Sequence, residues 1–179
     1  MQIIKTEIPK NSSLYSDHHK YNYFDSYEAI IKDKNNLLGI SDIAKAFLKL
    51  GPKWIDYLLI IRNKIVSLFG LKTTNNIDKT KYSDILNFEP EERIGIFKVF
   101  SKTNNEIILG EDDKHLNFRV SLFLEESKIN KTDKIITVTT VVKYNNWLGR
   151  LYFFPVKPFH KLIVQITMKK NLQELEKNS

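Results

Sequence analysis

Hydrophobic and polar residues alternate through much of the second half of the chain, with the period of two that indicates β-strands. The clearest case follows the charged stretch 110–114. Its apolar positions are Leu116, Phe118, Val120, Leu122 and Leu124, and its polar positions are His115, Asn117, Arg119 and Ser121. One apolar and one polar face predict a sheet packed on one side, but the alternation alone leaves open which face turns inward.

The same pattern predicts five strands along the chain. They are residues 22–31, 93–100, 106–109, 115–125 and 134–144. Polar turns at 103–105, 110–114 and 127–133 separate the last four strands. Because short connections of this kind join neighbouring antiparallel strands, these four are expected to form one antiparallel sheet.

Two short helices are predicted between the first strand and the second. Ser41 can cap a helix that ends near residue 50, with Asp42 in its first turn. Pro52 suits the first position of a second helix, which extends to about residue 69 before Gly70 stops it. The polar residues 72–87 that follow predict a loop.

The last region, residues 147–177, is predicted to be a helix long enough to cover the apolar face of the sheet. Pro155 and Pro158 break or kink helices, so its regular part is expected to start near Pro158. The fold class is therefore α+β: a curved antiparallel sheet wrapped around a long C-terminal helix, with two short helices after the first strand. This helix-grip arrangement, formed by one domain of residues 1–179, often has a cavity between sheet and helix.

Cysteine is absent from the chain, which excludes disulfides, zinc–thiolate sites and cysteine nucleophiles. The first 13 residues lack the apolar run of a signal peptide. The longest apolar run, residues 58–61, is far too short to cross a bilayer. We therefore expect a soluble cytoplasmic protein without stable membrane insertion.

The net charge of +7 raises the question of an anionic partner such as nucleic acid. Arg accounts for four of the 28 basic residues, and the Lys residues are scattered along the chain. Nucleic-acid sites favour Arg, whose planar fork pairs with phosphates and base edges. No nucleic-acid partner is expected.

Sequence signatures of cofactor and serine chemistry are missing as well. The six Gly residues never form a Gly-rich phosphate loop, and no Ser lies in a Gly-x-Ser-x-Gly turn. No cofactor is therefore expected. The oligomeric state is left open.

Arg62 is an unusual charge, because apolar residues surround it at helical spacings in the second predicted helix. A buried guanidinium needs a carboxylate or several carbonyls as partners. It could hold the anionic head of a ligand in the cavity, or form a structural ion pair with Asp25, Asp112 or Asp113. Trp54, in the same helix, could stack on a ligand or simply fill the core.

Asp112, Asp113 and His115 resemble a set of metal ligands in type but not in spacing, so no metal site is predicted. The carboxylates are expected to close a turn or to pair with a nearby Arg or Lys, and His115 to begin the strand. His115 could act as a general base, yet no nucleophile accompanies it, and no catalytic residue is assigned. His160 could line the cavity mouth or bond a nearby backbone group, and residues 17–19 are expected to form a solvated turn.

Several short motifs occur in an order that resembles a known family. They are Pro52-Lys53-Trp54, residues 58–63, Phe69-Gly70-Leu71-Lys72, residues 110–119 and residues 158–164. Over residues 14–170 the chain is similar to the bacterial family named domain of unknown function 2867. That family looks like part of the START and polyketide-cyclase-like superfamily, also called Bet v 1-like or SRPBCC, whose members share the helix-grip fold.

The resemblance implies an apolar pocket and a small hydrophobic ligand, but no reaction. One departure concerns the strand at 115–119, where relatives often carry an Asp and this chain has Asn117. Relatives also often have His-Asn before a Leu-Gly-Arg step, where this chain has residues 144–147, Tyr-Asn-Asn-Trp. A role that needs a carboxylate in mid-strand therefore does not carry over.

The leading hypothesis is a non-catalytic protein that binds a small hydrophobic or amphipathic molecule between the sheet and the C-terminal helix. The residues predicted to contact this ligand are Trp54, Arg62, Asp113, His115, Arg119, Tyr144 and His160. One alternative is a cyclase-like or isomerase-like enzyme that uses an acid–base residue in the same cavity. The other is a structural or partner-binding module whose core is filled.

Overall fold

The structure is a computed structural model that describes residues 1–48, 86–94, 97–130 and 132–178. Its strands are β1 (Ile3–Lys5), β2 (Tyr23–Lys32), β3 (Arg93–Ile94), β4 (Phe97–Lys102), β5 (Glu106–Asp112), β6 (Leu116–Glu126) and β7 (Asp133–Tyr144). Its helices are α1 (Ile40–Leu48) and α2 (Trp147–Asn178), with one turn of 3-10 helix at His18–Lys20. The second predicted helix, 52–69, lies outside the described residues, together with Trp54 and Arg62.

The strands form one antiparallel sheet in the order β1-β2-β7-β6-β5-β4-β3. Its inner face packs against α1 and α2 through a largely apolar core. That core includes Ile31, Ile43, Leu109, Leu122, Ile136, Val164 and Met168. The α+β class, with an antiparallel sheet, a long C-terminal helix and a short helix after the first long strand, is therefore confirmed.

The sheet resolves which side of the alternating stretch faces the interior. Val120 and Leu122 lie in the core beneath the helices, whereas Arg119 and Ser121 lie on the outer face. Burying the apolar set removes the larger hydrophobic area from water, which is the dominant favourable term in folding.

Strand boundaries depart from the sequence prediction at the far edge of the sheet. The predicted strand 93–100 is two strands, since β3 pairs antiparallel with β4. β5 continues to Asp112 rather than ending at residue 109, because Glu111 and Asp112 pair with Phe118 and Asn117 of β6. β1 was not predicted, since three residues are too few to show a period.

The start of α2 also differs from the prediction. The helix begins at Trp147, not near Pro158, and continues through both prolines. Pro155 and Pro158 each lack the N–H that would bond the carbonyl four residues earlier, at Leu151 and Phe154. Both prolines and both of these residues are exposed, so water can bond the freed carbonyls and the helix persists.

Part of the outer face of the sheet is covered by residues 6–21, which we call the N-terminal strap. Ile8 and Leu14 of the strap pack on Ile108 and Val141, with Tyr21 and Phe100 at the margin of this cluster. The strap thus gives the outer face a small apolar core of its own. The solvated turn predicted at residues 17–19 lies within it as an exposed 3-10 turn held by a Lys20–Asp17 ion pair of 2.6 Å.

Replacing Gly149 by Ala is expected to lower the free energy of unfolding by about 2 kcal/mol. A Cβ here would overlap the backbone oxygen of His115 and lie 2.8 Å from its carbonyl carbon, so α2 would have to shift. This runs against helix propensity, because Ala normally favours a helix over Gly by about 1 kcal/mol. Urea unfolding of the two proteins measures the difference.

Gly39→Ala is the matched control, since its Cβ would meet no atom nearer than the Asp42 carboxylate at 3.6 Å. We expect little change there. An equal loss in both variants would show that Gly149 does not act through its contact with His115.

Candidate functional site

Four polar residues meet on the inner face of the sheet beneath α2, and we call them the inner polar cluster: Tyr23, Asp25, Thr140 and His160. Tyr23 and Asp25 occupy alternate inward positions of β2, and Thr140 of β7 lies directly opposite Asp25 in the strand register. His160 reaches the cluster from α2. The arrangement follows from the strand period, which sends residues 23, 25 and 27 to the same face.

The Asp25 carboxylate is the centre of this cluster and is 2% exposed. The Tyr23 hydroxyl donates a hydrogen bond of 2.6 Å to Oδ2. Nε2 of His160 lies 3.5 Å from Oδ1, without the geometry of a hydrogen bond. Among the described residues, Asp25 Oδ1, Thr140 Oγ1 and His160 Nε2 are buried and have no hydrogen-bond partner.

The pKa values of two tyrosines near the cluster, Tyr23 and Tyr27, are both raised. Burial, the hydrogen bond to Asp25 and the charge of that carboxylate all raise the pKa of Tyr23. Burial and the Asp25 charge also raise the pKa of Tyr27, against a hydrogen bond with Gln165 that lowers it. Tyr23 therefore remains a neutral donor that holds one oxygen of Asp25 and leaves the other toward His160.

Apolar side chains enclose the cluster on both sides. Phe153 of α2 packs on Tyr23 and Tyr144, with ring centroids 4.9 and 5.9 Å apart, and buries Leu116 and Val142. On the other side, Val120 is the strand partner of Thr140. A polar centre between apolar walls is the usual make-up of a small-molecule site.

The expected cavity between the sheet and the helices is not supported by the voids found in the described part of the chain. The interior void found there measures about 10 Å³, close to the volume that one water needs. It lies between α1 and the second half of α2, near Ile43 and Met168, rather than at the inner polar cluster.

A second polar region lies at the end of the sheet where α2 begins. Asn146 Oδ1 accepts a hydrogen bond from the Gly149 amide at 3.1 Å and lies 3.2 Å from His115 Nδ1. Asn145 donates to the Asp113 carbonyl at 2.7 Å. An open groove of about 280 Å³ adjoins this network, lined by Asn22, Tyr144, Asn146, Trp147 and Arg150.

The described residues that the sequence predicted as ligand contacts fall in three places. Asp113, His115 and Tyr144 come together at the groove end of the sheet. His160 lies in the inner polar cluster. Arg119 lies on the outer face, where it pairs with Asp112 at 2.9 Å and stacks on Phe100 with 3.5 Å from Cζ to the ring centroid.

Sequence reasoning missed Asp25 and Thr140 as members of a site. Asp25 was named only as a possible ion-pair partner of Arg62. The alternation of β2 contained the evidence, because a carboxylate occupies a position between the inward Tyr23 and Tyr27. A charged residue at a core position needs an explanation that a surface charge does not. Thr140 gave no comparable indication, since threonine is common in strands.

Fold and site together define an α+β protein in which a long C-terminal helix closes over a polar cluster on an antiparallel sheet. The family model described as "Protein of unknown function (DUF2867)" matches residues 18–167, and the chain belongs to that family. No curated protein and no solved structure matches the chain. Within the described residues, no helix is long and apolar enough to span a membrane.

Proposed function

We propose that this protein binds a small amphipathic molecule between the sheet and α2, in the manner of the helix-grip proteins that its sequence resembles. The observation that carries the proposal is a set of three buried polar atoms in the inner polar cluster that have no hydrogen-bond partner, two of which, Asp25 Oδ1 and His160 Nε2, lie 3.5 Å apart. Buried polar atoms without partners cost free energy, so native proteins keep few of them, and those that persist often belong to functional sites.

The chemistry of the three atoms defines the polar end of the ligand. Asp25 Oδ1 is an acceptor, while Thr140 Oγ1 and His160 Nε2 can each donate or accept. A ligand hydroxyl or amine can donate to Asp25 and also bond to Thr140 or His160. The apolar remainder would lie against Phe153 and Val120, which flank the cluster.

The inner polar cluster lies beneath α2, so ligand entry there would need α2 to separate from the sheet near His160. Pro155 and Pro158 remove two backbone hydrogen bonds from the helix immediately before that residue. Displacing this part of α2 therefore requires less free energy than displacing an uninterrupted helix. The single-domain organisation and the cytoplasmic location remain predictions from sequence.

Thr140→Val is expected to separate ligand binding from stability. The substitution keeps the shape of the side chain and removes a buried hydroxyl that has no partner, so the ligand-free protein should gain about 1 kcal/mol of stability. Ligand retention should fall, because one of the three polar contacts is lost. Native mass spectrometry of gently purified protein reports the added mass, and urea unfolding reports the stability.

Thr139→Val is the matched control on the same strand. Its hydroxyl lies on the outer face and shares a 2.8 Å hydrogen bond with Ser26, so its loss should destabilise the protein and leave the ligand mass unchanged. Equal ligand masses in wild type and Thr140→Val would contradict the proposed role of the cluster.

The Asp25–His160 pair also favours a second candidate, an enzyme of the cyclase or isomerase kind. An imidazole 3.5 Å from a buried carboxylate can take up and return a proton at a bound carbonyl compound. His160→Gln distinguishes the two functions in the same experiment. An enzyme would give a clean wild-type mass and a trapped substrate mass in the variant, whereas a binding protein would show its ligand in the wild type.

A further inference from the structure

The first half of α2 exposes a stripe of large apolar side chains to solvent. Its members, which we call the α2 stripe, are Trp147 (71% exposed), Leu151 (54%), Phe154 (79%) and Leu162 (49%). Isolated exposed apolar residues are normal on a protein surface, but a contiguous set marks an interaction site.

The spacing places these four residues on one face of the helix. Steps of four, three and eight residues return to nearly the same angular position, with Pro155 and Pro158 between them. The stripe is about 22 Å long. It lies opposite the face that carries Phe153, His160 and Val164 toward the sheet.

Positive charge borders the stripe along one side. Arg150, Lys157 and Lys161 follow at intervals of seven and four residues, and none has an ion-pair partner among the described residues. Arg150 Cζ lies 6.0 Å from the ring centroid of Tyr144, and Lys157 Nζ lies 4.9 Å from that of Tyr23. These two cations are therefore on the side of the helix that borders the sheet. Residues 147–173 contain five cations and no Asp or Glu.

We propose that the α2 stripe docks the protein on an anionic lipid surface, as a peripheral contact in the plane of the headgroups. Trp, Phe and Leu on one helix face with Lys and Arg beside them are the composition of interfacial helices. The cations would contact acidic headgroups while the apolar residues enter the boundary with the acyl chains.

This inference does not depend on the proposed function, because the α2 stripe and the inner polar cluster face opposite sides of the helix. The two can fail separately. A wild-type protein that carries its ligand mass but does not bind the vesicles would overturn the docking surface alone.

Co-sedimentation with vesicles tests the docking surface. Vesicles of phosphatidylcholine with one quarter phosphatidylglycerol should bind the full chain at least about tenfold more tightly than pure phosphatidylcholine vesicles, and added salt should reduce the difference. Phe154→Ser and the double charge reversal Lys157→Glu/Lys161→Glu should each weaken binding about tenfold. Phe154 is 79% exposed, so Phe154→Ser should unfold like the wild type by circular dichroism. Lys157 is exposed and Lys161 is half-buried, so the unfolding of the double variant is measured alongside its vesicle binding.

Two control variants distinguish binding through the α2 stripe from nonspecific binding to vesicles. Phe24→Ser removes another exposed phenylalanine, 42% exposed on the outer face of β2, and Lys128→Glu reverses an exposed charge in the turn between β6 and β7, at the opposite end of the sheet from the start of α2. Both should leave vesicle binding unchanged. Equal binding to the two kinds of vesicle, or equal loss in the controls, would overturn the proposal.

A second copy of the chain is the other occupant that the experiment can reveal. In that case, size-exclusion chromatography would show a dimer that Phe154→Ser dissociates, and neither kind of vesicle would sediment the protein. That result would also overturn lipid docking.

Discussion

Replacing Glu106 by Gln is expected to lower the free energy of unfolding by about 3 kcal/mol and to release the N-terminal strap from the sheet. Glu106 lies on the outer face of β5, and it is 3% exposed. Buried carboxylates usually have a cation as partner. Among the described residues, this one has hydrogen-bond donors from serine residues instead.

Four hydrogen bonds surround the Glu106 carboxylate. Oε1 accepts from the hydroxyls of Ser12 and Ser121, each at 2.6 Å. Oε2 accepts from the Ser13 amide at 2.9 Å and from its hydroxyl at 2.6 Å. A Gln side chain has one acceptor oxygen in place of two, and its NH₂ group cannot accept from the Ser13 amide. At least one buried donor therefore loses its partner.

Urea unfolding measures the expected loss, and amide hydrogen exchange of residues 6–21 reports release of the strap. Glu111→Gln is the matched control on the same strand. Its partner Arg93, at 2.6 Å, has a side chain that is 58% exposed, so this substitution should cost less than about 1 kcal/mol. Equal losses in the two variants, or unchanged exchange of the strap, would contradict the role of Glu106.

The strap shows where prediction from the sequence stops. β2, β6 and β7 were predicted to within a residue or two because each is long enough to display its period. The strap has little regular structure, and its attachment depends on a glutamate 93 or 94 residues away in the chain. No local pattern encodes a contact over that separation.

The candidate site divides in the same way. Tyr144, His115 and His160 were predicted as ligand contacts from residue type, and all three lie where α2 meets the sheet. Their separation into two regions depends on which side of α2 and which strand end they occupy, and this requires the tertiary structure. For Arg119, the strand period alone gives the location, because it places the side chain on the outer face. There Arg119 forms an ion pair with Asp112 and stacks on Phe100.

Asp33 and Lys134 form a buried ion pair whose disruption should also be costly. Nζ of Lys134 lies 2.7 Å from Asp33 Oδ2 and donates a second bond of 2.7 Å to the Leu38 carbonyl. The amides of Leu37 and Leu38 donate to the same carboxylate, each at 3.0 Å. The pair therefore fixes the turn that leads from β2 into α1, and α1 covers part of the core.

The pKa of Asp33 gives this pair a pH signature. Burial by itself raises the pKa, but the hydrogen bonds from Lys134 and from the two amides outweigh burial and hold it below the ordinary value of 3.8. A carboxyl with a lowered pKa in the folded state contributes stability that is fully present above its unfolded value. That contribution is lost as the pH falls through the folded pKa.

Lys134→Met is expected to lower the free energy of unfolding by about 3 kcal/mol at neutral pH, since it leaves a buried carboxylate without its cation. The difference in free energy of unfolding between the variant and the wild type should become smaller below about pH 4, because protonation of Asp33 removes the charge that Lys134 compensates. Urea unfolding at a series of pH values measures both effects. Lys98→Met, whose partner Glu91 is 76% exposed, should cost less than about 1 kcal/mol. If the stability difference between Lys134→Met and the wild type stays constant down to pH 2, the ion pair with Asp33 is not the cause of that difference.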